Sequence, residues 1–536
     1  MKDNYLKKQA KWLSEGQIDR RQFVMSAIAA GLAIPTALSL ADNVLAATPN
    51  KGGRLRFGSL YGSTTDVLDA GTSENGMSQA ILYARGNHLT EIGQDGKLRG
   101  ELAESFEPSN GAKTWAFNLR KGVEFHNGKS LTAQDVIATY NYHRGENSKS
   151  AAKGLLSAIT DIKADGDNRV IFELSGGNAD FPYIVSDYHI MIMHSNAEGS
   201  IDDPNSPIGT GGYVVENYNP GTSTTFKRNP NYFKENSAFF DEVEMLTLAD
   251  TTARQNALMN GDVDYIDNVD AKTVALLGRN PNVEILKTTG TQHYTFPMRV
   301  DAAPFDNYDL RMALKYAIKR QELVDKILLG NGEAGNDVPV NASMPFLNTE
   351  LPKHEFDAEK AAMHYKKSGH SGKIQLSVSD AAFAGAVDAA QLIAASAKEA
   401  GIDIEIVREP KDGYWSNVWN KKPWSACYWG GRPTQDWMYS AAYTNDTEWN
   451  DTAWKSGEQA DKFNSLVVAA RSETNDATRK DQYWEAQALL QEHGGAIVAM
   501  WASFIQGHSK KLAHGEEVAA NWVNDGNKMA ERWWFA

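Results

Sequence analysis

A short segment near residue 430 places an indole and a guanidinium beside flexible backbone. It reads Trp429, Gly430, Gly431 and Arg432, with Asp436 four positions further on. Glycines next to an aromatic ring let a ligand approach the main chain closely, because they carry no Cβ atom. The indole supplies a large apolar contact, and a guanidinium can clamp a carboxylate through two parallel hydrogen bonds. These residue types therefore favour a binding site for a small molecule that carries a carboxylate.

The same region is rich in aromatic residues. Those between positions 414 and 439 are Tyr414, Trp415, Trp419, Trp424, Tyr428, Trp429, Trp437 and Tyr439. A cluster of this kind can also pack a core, and Arg432 could pair with Asp436 and only brace the turn. The strand-like run Ser425–Trp429 ends directly before the glycines, and this favours the binding site for Trp429 and Arg432.

The chain lacks the motifs of the common catalytic and cofactor sites. Gly122 and the run Gly128–Ser130 are one residue too far apart for a phosphate loop, and Gly209–Gly212 lacks the third spaced glycine of a dinucleotide fingerprint. The twelve histidines form no H-x-x-x-H pair, and no G-x-S-x-G motif occurs. The sequence therefore predicts no enzyme, no cofactor and no metal site.

The composition is that of an acidic globular protein. The 536 residues are 42% hydrophobic and 23% charged, with a formal net charge of -14. A surface this acidic repels phosphate backbones, which argues against a nucleic-acid binder. Cys427 is the only cysteine, so an internal disulfide and cysteine-based zinc or iron–sulfur sites are excluded. The length predicts about three to four domain-sized units.

Residues 1–46 have the three-part pattern of a cleaved export signal. A basic region ends in Arg20–Arg21, the uncharged run Val24–Leu40 follows, and small residues at Val44–Ala46 offer a cleavage site. The arginine pair resembles the twin-arginine export motif. An uncleaved anchor helix is the alternative, but Gly31 and Pro35 interrupt the run, which is shorter than the roughly 20 residues of a span. We therefore expect a periplasmic protein without an N-terminal lipid anchor.

The elements that must position the site mix strands and helices without strict alternation. Alternating residues predict strands after Gly53, at Thr114–Leu119 and at Ile402–Val407, and a capping box at Thr132–Asp135 predicts the start of a helix. Asn127–Gly128 predicts a hairpin. Further helices are predicted at residues 76–92, 307–330, 386–400 and 478–493. The order indicates an α/β or α+β protein whose lobes interrupt one another in sequence.

Longer motifs resemble a known family. They are Leu102–Phe106, Phe117–Val136, Pro207–Tyr213, Arg228–Tyr232 and Asn260–Asp264. In these segments the chain is similar to the extracytoplasmic solute-binding proteins, family 5, that supply ABC importers with peptides, nickel or opines. The resemblance implies an α/β, two-lobed periplasmic-binding-protein clamshell, class II-like, with a two-strand hinge. It also implies an extra subdomain inserted in lobe I, and binding without catalysis.

The resemblance implies the boundaries of the lobes. Lobe I is expected at 48–90, 211–297 and 506–536, the inserted subdomain at 91–210, and lobe II at 298–505. The expected partners are a small-molecule or short-peptide ligand and the permease and ATPase of an ABC importer at the inner membrane. A monomer is expected, with no nucleic acid bound.

The resemblance also implies site residues. In peptide-binding members, main-chain groups near the segment that matches Glu74, Asn75 and Gly76 bind the ligand, as do groups just after the tryptophan that matches Trp429. An aspartate that usually follows this tryptophan by three positions holds the α-ammonium of the peptide. This chain has Arg432 there.

A second cation, Arg299, stands where an asparagine is common in the family. Both changes favour an anionic group on the ligand, as in acidic peptides, opine-like conjugates or acidic sugar derivatives. The alternatives are an exported hydrolase, which would need a nucleophile or a metal set, and a binding protein for a metal chelate or an acidic oligosaccharide.

Overall fold

The computed structural model describes residues 2–14, 17–34, 36–38, 40–41, 49–73, 75–410, 414–430, 432–447 and 449–536. Glu74, Gly431 and the expected cleavage site at Val44–Ala46 lie outside these ranges. No helix within them is long and apolar enough to cross a membrane.

A nine-stranded mixed sheet forms the centre of the described structure. Its strands, in spatial order, are Cys427–Trp429, Val283–Thr295, Val498–Ser509, Tyr265–Ile266, Arg54–Ser59, Glu242–Thr247, Ser223–Arg228 and Tyr213–Asn219, with Gly332–Ala334 paired to Val498–Ser509. The strand predicted after Gly53 is confirmed, because Arg54–Ser59 alternates as the sequence indicates and lies between two parallel neighbours.

Two long antiparallel strands, Val283–Thr295 and Val498–Ser509, connect the two halves of this sheet, and we call them the hinge strands. One half of the pair continues the sheet through Tyr265–Ile266. The other half pairs with Cys427–Trp429 and Gly332–Ala334. The register shifts between Thr289 and His293, where the two halves meet. Since a bulge bends a strand, the hinge strands bend where the two halves of the sheet meet.

Four smaller sheets and a set of helices complete the described fold. The four-stranded sheet consists of Ala103–Ser109, Thr114–Leu119, Arg169–Leu174 and Ile159–Ala164; the two-stranded sheets are Ile374–Val378 with Ile404–Arg408, Leu512–Ala513 with Trp534–Phe535, and Thr90–Ile92 with Leu98–Gly100. The helices of eight or more residues in the described ranges are Lys2–Ser14, Arg20–Ala29, Gly76–Arg85, Ala133–Arg144, Thr251–Asn260, Tyr308–Tyr316, Arg320–Ile327, Ala358–Ser368, Ala386–Glu399, Gln435–Ala442, Glu458–Ser472 and Asp476–His493.

The apolar side chains pack in separate cores. The first lobe is built around Phe57, Tyr213 and Trp533, and the inserted subdomain around Trp115, Phe117 and Phe172. The second lobe has two cores, whose members include Phe296, Leu314, Leu376 and Met500 in one and Met438, Tyr439, Phe463 and Leu490 in the other. Separate cores joined by two strands are the physical basis of a two-lobed fold.

Two predicted helices are wrong in extent. The helix expected at 76–92 ends at Arg85, because Gly86 has an extended and not a helical backbone conformation. Residues Thr90–Ile92 instead form a strand. The helix expected at 307–330 is two helices, Tyr308–Tyr316 and Arg320–Ile327.

The break between these two helices has a tertiary cause. The Arg320 guanidinium donates to the carbonyl oxygen of Lys315 at 3.0 Å and to both carboxylate oxygens of Asp337 at 2.8 Å. The Lys315 carbonyl therefore bonds a side chain at the point where a continuous helix would bond the backbone of the next turn.

Candidate functional site

A cavity of about 480 Å³ lies against the hinge strands and takes its walls from both lobes. Its aromatic lining comes from Tyr61 and Trp522 of the first lobe and from Tyr294 and Phe504 of the hinge strands. Amide side chains of Asn268 and Gln292 add hydrogen-bonding groups, and no described lining residue is charged. The volume and the mixture of rings with a few polar groups are typical of a small-molecule site.

A second cavity, of about 600 Å³, is larger but is lined only by residues of the segment 319–356. All of these belong to the second lobe, so a ligand there would not touch both lobes. The cavity on the hinge strands is therefore the better candidate for the site that closes around a ligand.

Gly430 lies in the wall of this cavity. A Cβ atom built on it meets no heavy atom within 4 Å, so the main chain here is open on the cavity side. Its carbonyl oxygen accepts a bond from the Thr291 hydroxyl at 3.4 Å, which ties the segment to a hinge strand. The structure thus brings one predicted site residue to the cavity, while Gly431 lies outside the described residues.

Trp429 precedes Gly430 but packs inward. It pairs with His293 of a hinge strand and is only 7% exposed. Its ring lies 6.1 Å from that of Trp419 and 6.3 Å from that of Trp449. Burial raises the pKa of Asp451 to about 6, against the hydrogen bond that this carboxylate accepts from the indole N–H of Trp419 at 3.0 Å. The indole therefore belongs to a core of the second lobe and positions the strand that ends at Gly430.

Arg432 lies where the second lobe faces the inserted subdomain. Its guanidinium sits over the ring of Trp437, 5.9 Å from the centroid. Burial lowers the pKa of Arg432, and the negative charge of Asp187 on the inserted subdomain acts in the opposite direction. The Tyr188 ring in turn meets Trp522, a cavity-lining residue, edge-on at 5.9 Å. Arg432 is therefore a half-buried cation near the cavity, facing an acidic group across the gap.

Asp436 has a structural partner within the second lobe. Both of its carboxylate oxygens accept bonds from Nε of Arg471, at 2.9 and 3.1 Å. Burial raises the pKa of Asp436 to about 6, against the opposing charge of Arg471. This pair fixes helix Gln435–Ala442 against helix Glu458–Ser472.

Arg299 forms contacts within its own lobe. Its guanidinium bonds both carboxylate oxygens of Asp301, at 3.1 and 2.8 Å. It also donates to the carbonyl and side-chain oxygens of Asn420, each at 2.8 Å. These contacts make Arg299 a loop-bracing residue in this structure.

Asn75 and Gly76 act on the cavity indirectly. The Asn75 side chain accepts bonds from the first amides of helix Gly76–Arg85 and donates to Asp66 at 2.7 Å. A Cβ atom on Gly76 would lie 2.6 Å from the ring of Tyr61, so the glycine makes room for that ring. Gly76 therefore leaves room for Tyr61 in the cavity wall, while Asn75 caps the helix that begins at Gly76. Glu74 lies outside the described ranges.

The aromatic lining was not found from the sequence. Tyr61, Phe504 and Trp522 come from three distant segments, and no local pattern marks them. Tyr294 stacks on Phe383 with centroids 4.1 Å apart and planes 5° apart. Tyr294 lies in a hinge strand, and this position could have indicated from the sequence that it lines the cavity.

Three neighbouring glutamates belong to an ion network and do not form a site open to a metal ion. Glu91, Glu101 and Glu531 have oxygens within 4.8 Å of one another. Lys234 Nζ lies 3.1, 2.7 and 2.9 Å from the three carboxylates in that order. Lys528 Nζ contacts Glu91 at 2.6 Å and also Glu101. The ammonium groups neutralise the carboxylates and join the inserted subdomain to the first lobe.

Comparison with known proteins places this geometry in a family. The family model described as bacterial extracellular solute-binding proteins, family 5 Middle, matches residues 97–451. The glutathione-binding protein GsiB of Salmonella choleraesuis (strain SC-B67) is 24% identical over 468 residues, which cover 84% of this chain and 90% of GsiB. The oligopeptide-binding protein AppA of Bacillus subtilis (strain 168) is 26% identical over 339 residues, and the match spans 60% of this chain and 61% of AppA.

Solved structures show the same fold. The structure of AgaA from A. tumefacien R10 in complex with agropinic acid matches with a TM-score of 0.68 and 22% identity, over 90% of this chain and 99% of AgaA. The family match covers more than half of the chain, and the two-lobed α/β fold agrees with it. The protein is a member of family 5 of the bacterial extracellular solute-binding proteins.

Proposed function

We propose that this protein is the substrate-binding component of an ABC importer and that it binds its solute without catalysis. The observation that carries the proposal is the cavity on the hinge strands, whose walls come from both lobes. A ligand held by both lobes stabilises the closed arrangement over the open one, and a transporter can use this difference to distinguish loaded from empty protein. Membership of the family supports this role.

The chemistry of the cavity divides the ligand into two parts. The lining of rings and amides suits an uncharged portion with apolar surface and a few hydrogen-bonding groups. Arg432 supplies a cation near the cavity for a carboxylate. We therefore infer a peptide-like or opine-like solute with one anionic group. We assign the recognition of that group to Arg432, because its guanidinium lies beside Trp437 and the neighbouring Tyr188 ring meets the cavity-lining Trp522.

Identifying the solute is the first experiment. Protein purified without denaturation is extracted, and the released small molecules are identified by mass spectrometry. Calorimetric titration of ligand-free protein then measures the affinity. The proposal requires a solute with a carboxylate and an uncharged portion, bound at a ratio of one per chain. A solute that is turned over during the titration would contradict binding without catalysis.

The roles of the two arginines are separated by matched substitutions. Arg432→Ala should weaken binding about thirtyfold, because a charge-assisted hydrogen bond contributes at least ~2 kcal/mol when water is excluded. Arg299→Ala removes the same functional group from the loop beside Asp301 and should leave the affinity within about a factor of three. If Arg299→Ala weakens binding and Arg432→Ala does not, the assignment of the carboxylate to Arg432 is wrong.

We propose that residues 1–46 are an export signal of the twin-arginine type and that the mature protein is a periplasmic monomer without an N-terminal lipid anchor. The packing of this segment supports the proposal, because its described apolar side chains form a cluster of their own whose members all lie between residues 6 and 41. Removing the segment therefore leaves the cores of the lobes intact.

We also keep the expected lobe boundaries as a proposal: 48–90, 211–297 and 506–536 for lobe I, 91–210 for the inserted subdomain and 298–505 for lobe II. The separate cores support it. The register shift between Thr289 and His293 supports a hinge at this point.

A further inference from the structure

A turn of the inserted subdomain touches the second lobe directly. The backbone N–H of Ala179 donates to the carbonyl oxygen of Arg471 at 2.6 Å. Next to it, the Arg479 guanidinium lies 2.6 Å from the Asp180 carboxylate. The side chains of this ion pair are 7% and 4% exposed, so the contact is buried although it joins two different parts of the molecule.

The turn is held in place by its own subdomain. The N–H of Asn178 donates to the carbonyl oxygen of Ala112 at 3.0 Å, and the indole N–H of Trp115 donates to the carbonyl oxygen of Asn178 at 3.0 Å. The Asn178 side chain accepts the N–H of Asp180 at 2.9 Å. These bonds come from the four-stranded sheet and its flanking turn, so Asp180 is presented in one orientation regardless of the second lobe.

The receiving side is also built in advance. Nε of Arg479 donates to the carbonyl oxygen of Ala470 at 3.0 Å. Its guanidinium lies over the rings of Phe346 and Tyr483, 5.6 and 5.4 Å from their centroids. Arg471 is fixed by the Asp436 carboxylate at 2.9 Å. The second lobe therefore holds its half of the contact without help from the inserted subdomain.

The contact is independent of the hinge strands, which carry the chain between the lobes. If the lobes rotate apart about the hinge strands, Asp180 must leave Arg479 and Ala179 must leave Arg471, while the bonds within each part remain. A buried ion pair gains Coulomb energy and loses hydration, so its net stabilisation is much smaller than either contribution alone. Such a pair is suited to a contact that forms and breaks reversibly.

We propose that the turn Asn178–Asp180 and the residues Arg471 and Arg479 form an interlobe latch that stabilises the closed form of the ligand-free protein. The latch is a conformational device separate from the ligand cavity, and none of its residues lines that cavity as described. It raises the fraction of protein that is already closed before a ligand arrives.

The latch is tested without any ligand. Two labels are introduced at Lys163→Cys in the inserted subdomain and Lys462→Cys in the second lobe, both at side chains 54% exposed. The distance distribution between the labels is measured by pulsed electron spin resonance on dialysed full-length protein. Native Cys427 is buried, so it does not compete for the label.

The latch predicts a loss of the closed population in Asp180→Asn. The amide leaves Arg479 without its counter-charge in the closed form, whereas water solvates both groups in the open form, so the ratio of closed to open protein should fall at least about tenfold. Arg479→Gln approaches the same contact from the other side and should shift the distribution in the same direction. Asp165→Asn removes an exposed carboxylate that pairs with Arg169 within the inserted subdomain, and it should change nothing.

Melting curves of all variants establish that they are folded. Distance distributions of Asp180→Asn and Arg479→Gln that match those of the parent protein would overturn the proposal. The same is true of a parent distribution that shows only the open form. These outcomes leave the proposed transport role untouched, because a ligand can close the lobes without a latch.

Discussion

Replacing Gly430 by phenylalanine tests whether the cavity on the hinge strands holds the solute. Gly430 lies in the cavity wall, and a Cβ atom added there meets no heavy atom within 4 Å. Its φ lies outside the left-handed region, so the backbone accepts a side chain without strain. A benzyl group at this position should therefore enter the cavity and leave the fold intact.

The size of the effect follows from the space that the ring takes. Fully burying a phenylalanine side chain is worth about 1.5–3 kcal/mol of apolar contact. A ring inside a cavity of about 480 Å³ removes a comparable contact from any solute that fills the same space. The loss corresponds to a Kd about 10- to 150-fold higher than that of the parent protein.

The assay is calorimetric titration with the solute identified by mass spectrometry, alongside thermal unfolding of each ligand-free variant. Gly430→Ala places only a methyl group in open space and should keep the affinity within about threefold. Gly154→Phe makes the same large change at an exposed glycine of the inserted subdomain whose added Cβ also meets nothing, and it should have no effect on binding. If Gly430→Phe binds the solute as tightly as Gly430→Ala, the cavity is not the ligand site.

Three further predictions concern stability and export. Lys528→Met should lower the free energy of unfolding by about 3–5 kcal/mol in urea titrations, because it leaves the buried Glu101 carboxylate without one of its two ammonium partners. The control Lys510→Met, at an exposed position, should change the free energy of unfolding by less than about 0.5 kcal/mol. Similar values for the two variants would contradict the role of the ion network. Burial raises the pKa of Asp337, but Arg320 and His354 outweigh it and lower the pKa to about 2. The lowered pKa should therefore contribute about 2 kcal/mol to the stability above pH 4, and this contribution should be lost as the pH falls towards 2. An acid unfolding curve that is the same for Asp337→Asn and the parent protein would refute this prediction. The double substitution Arg20→Lys, Arg21→Lys should abolish export in a cell-fractionation assay, in which the exported parent protein is expected to begin near Ala47. Normal export of the double variant would exclude the twin-arginine route.

Elements decided by local patterns were predicted well from the sequence. The strand Thr114–Leu119 has the predicted bounds, and the capping box at Thr132–Asp135 opens helix Ala133–Arg144 as expected. The predicted helix at 386–400 is observed at Ala386–Glu399. In each case the hydrophobic period and the terminal residues specify the element without reference to distant parts of the chain.

Elements whose ends depend on tertiary contacts were not predicted correctly from the sequence. The break before Arg320 depends on Asp337, which lies in another segment and aims the guanidinium at the Lys315 carbonyl. Apolar periodicity continues through this break, so the pattern alone extends the helix too far. The end of the helix at Arg85 is a different case, because Gly86 directly after it is a local stop signal that the expected range 76–92 passed over.

The candidate site shows the same division. Gly430 was singled out because a glycine after a strand is a local signal of an open backbone, and it lies in the cavity wall. Trp429 was expected at the ligand, yet its ring packs on Trp419 in a core, because an aromatic-rich sequence does not distinguish a core from a binding wall. Tyr61 and Trp522 were not singled out, since their segments are distant in sequence and only the tertiary fold brings them to the hinge strands.

The cavity and the proposed latch contribute to affinity in different ways, and this difference can be measured. Contacts in the cavity set the intrinsic Kd, whereas the latch sets the fraction of ligand-free protein that is already closed. The apparent Kd equals the intrinsic Kd divided by that fraction, so Asp180→Asn should weaken binding without touching the solute. Because Gly430 and Asp180 share no partner, the free-energy changes of Gly430→Phe and Asp180→Asn should add in the double variant within about 0.5 kcal/mol. A double variant no weaker than Gly430→Phe alone would mean that the latch does not act on ligand binding.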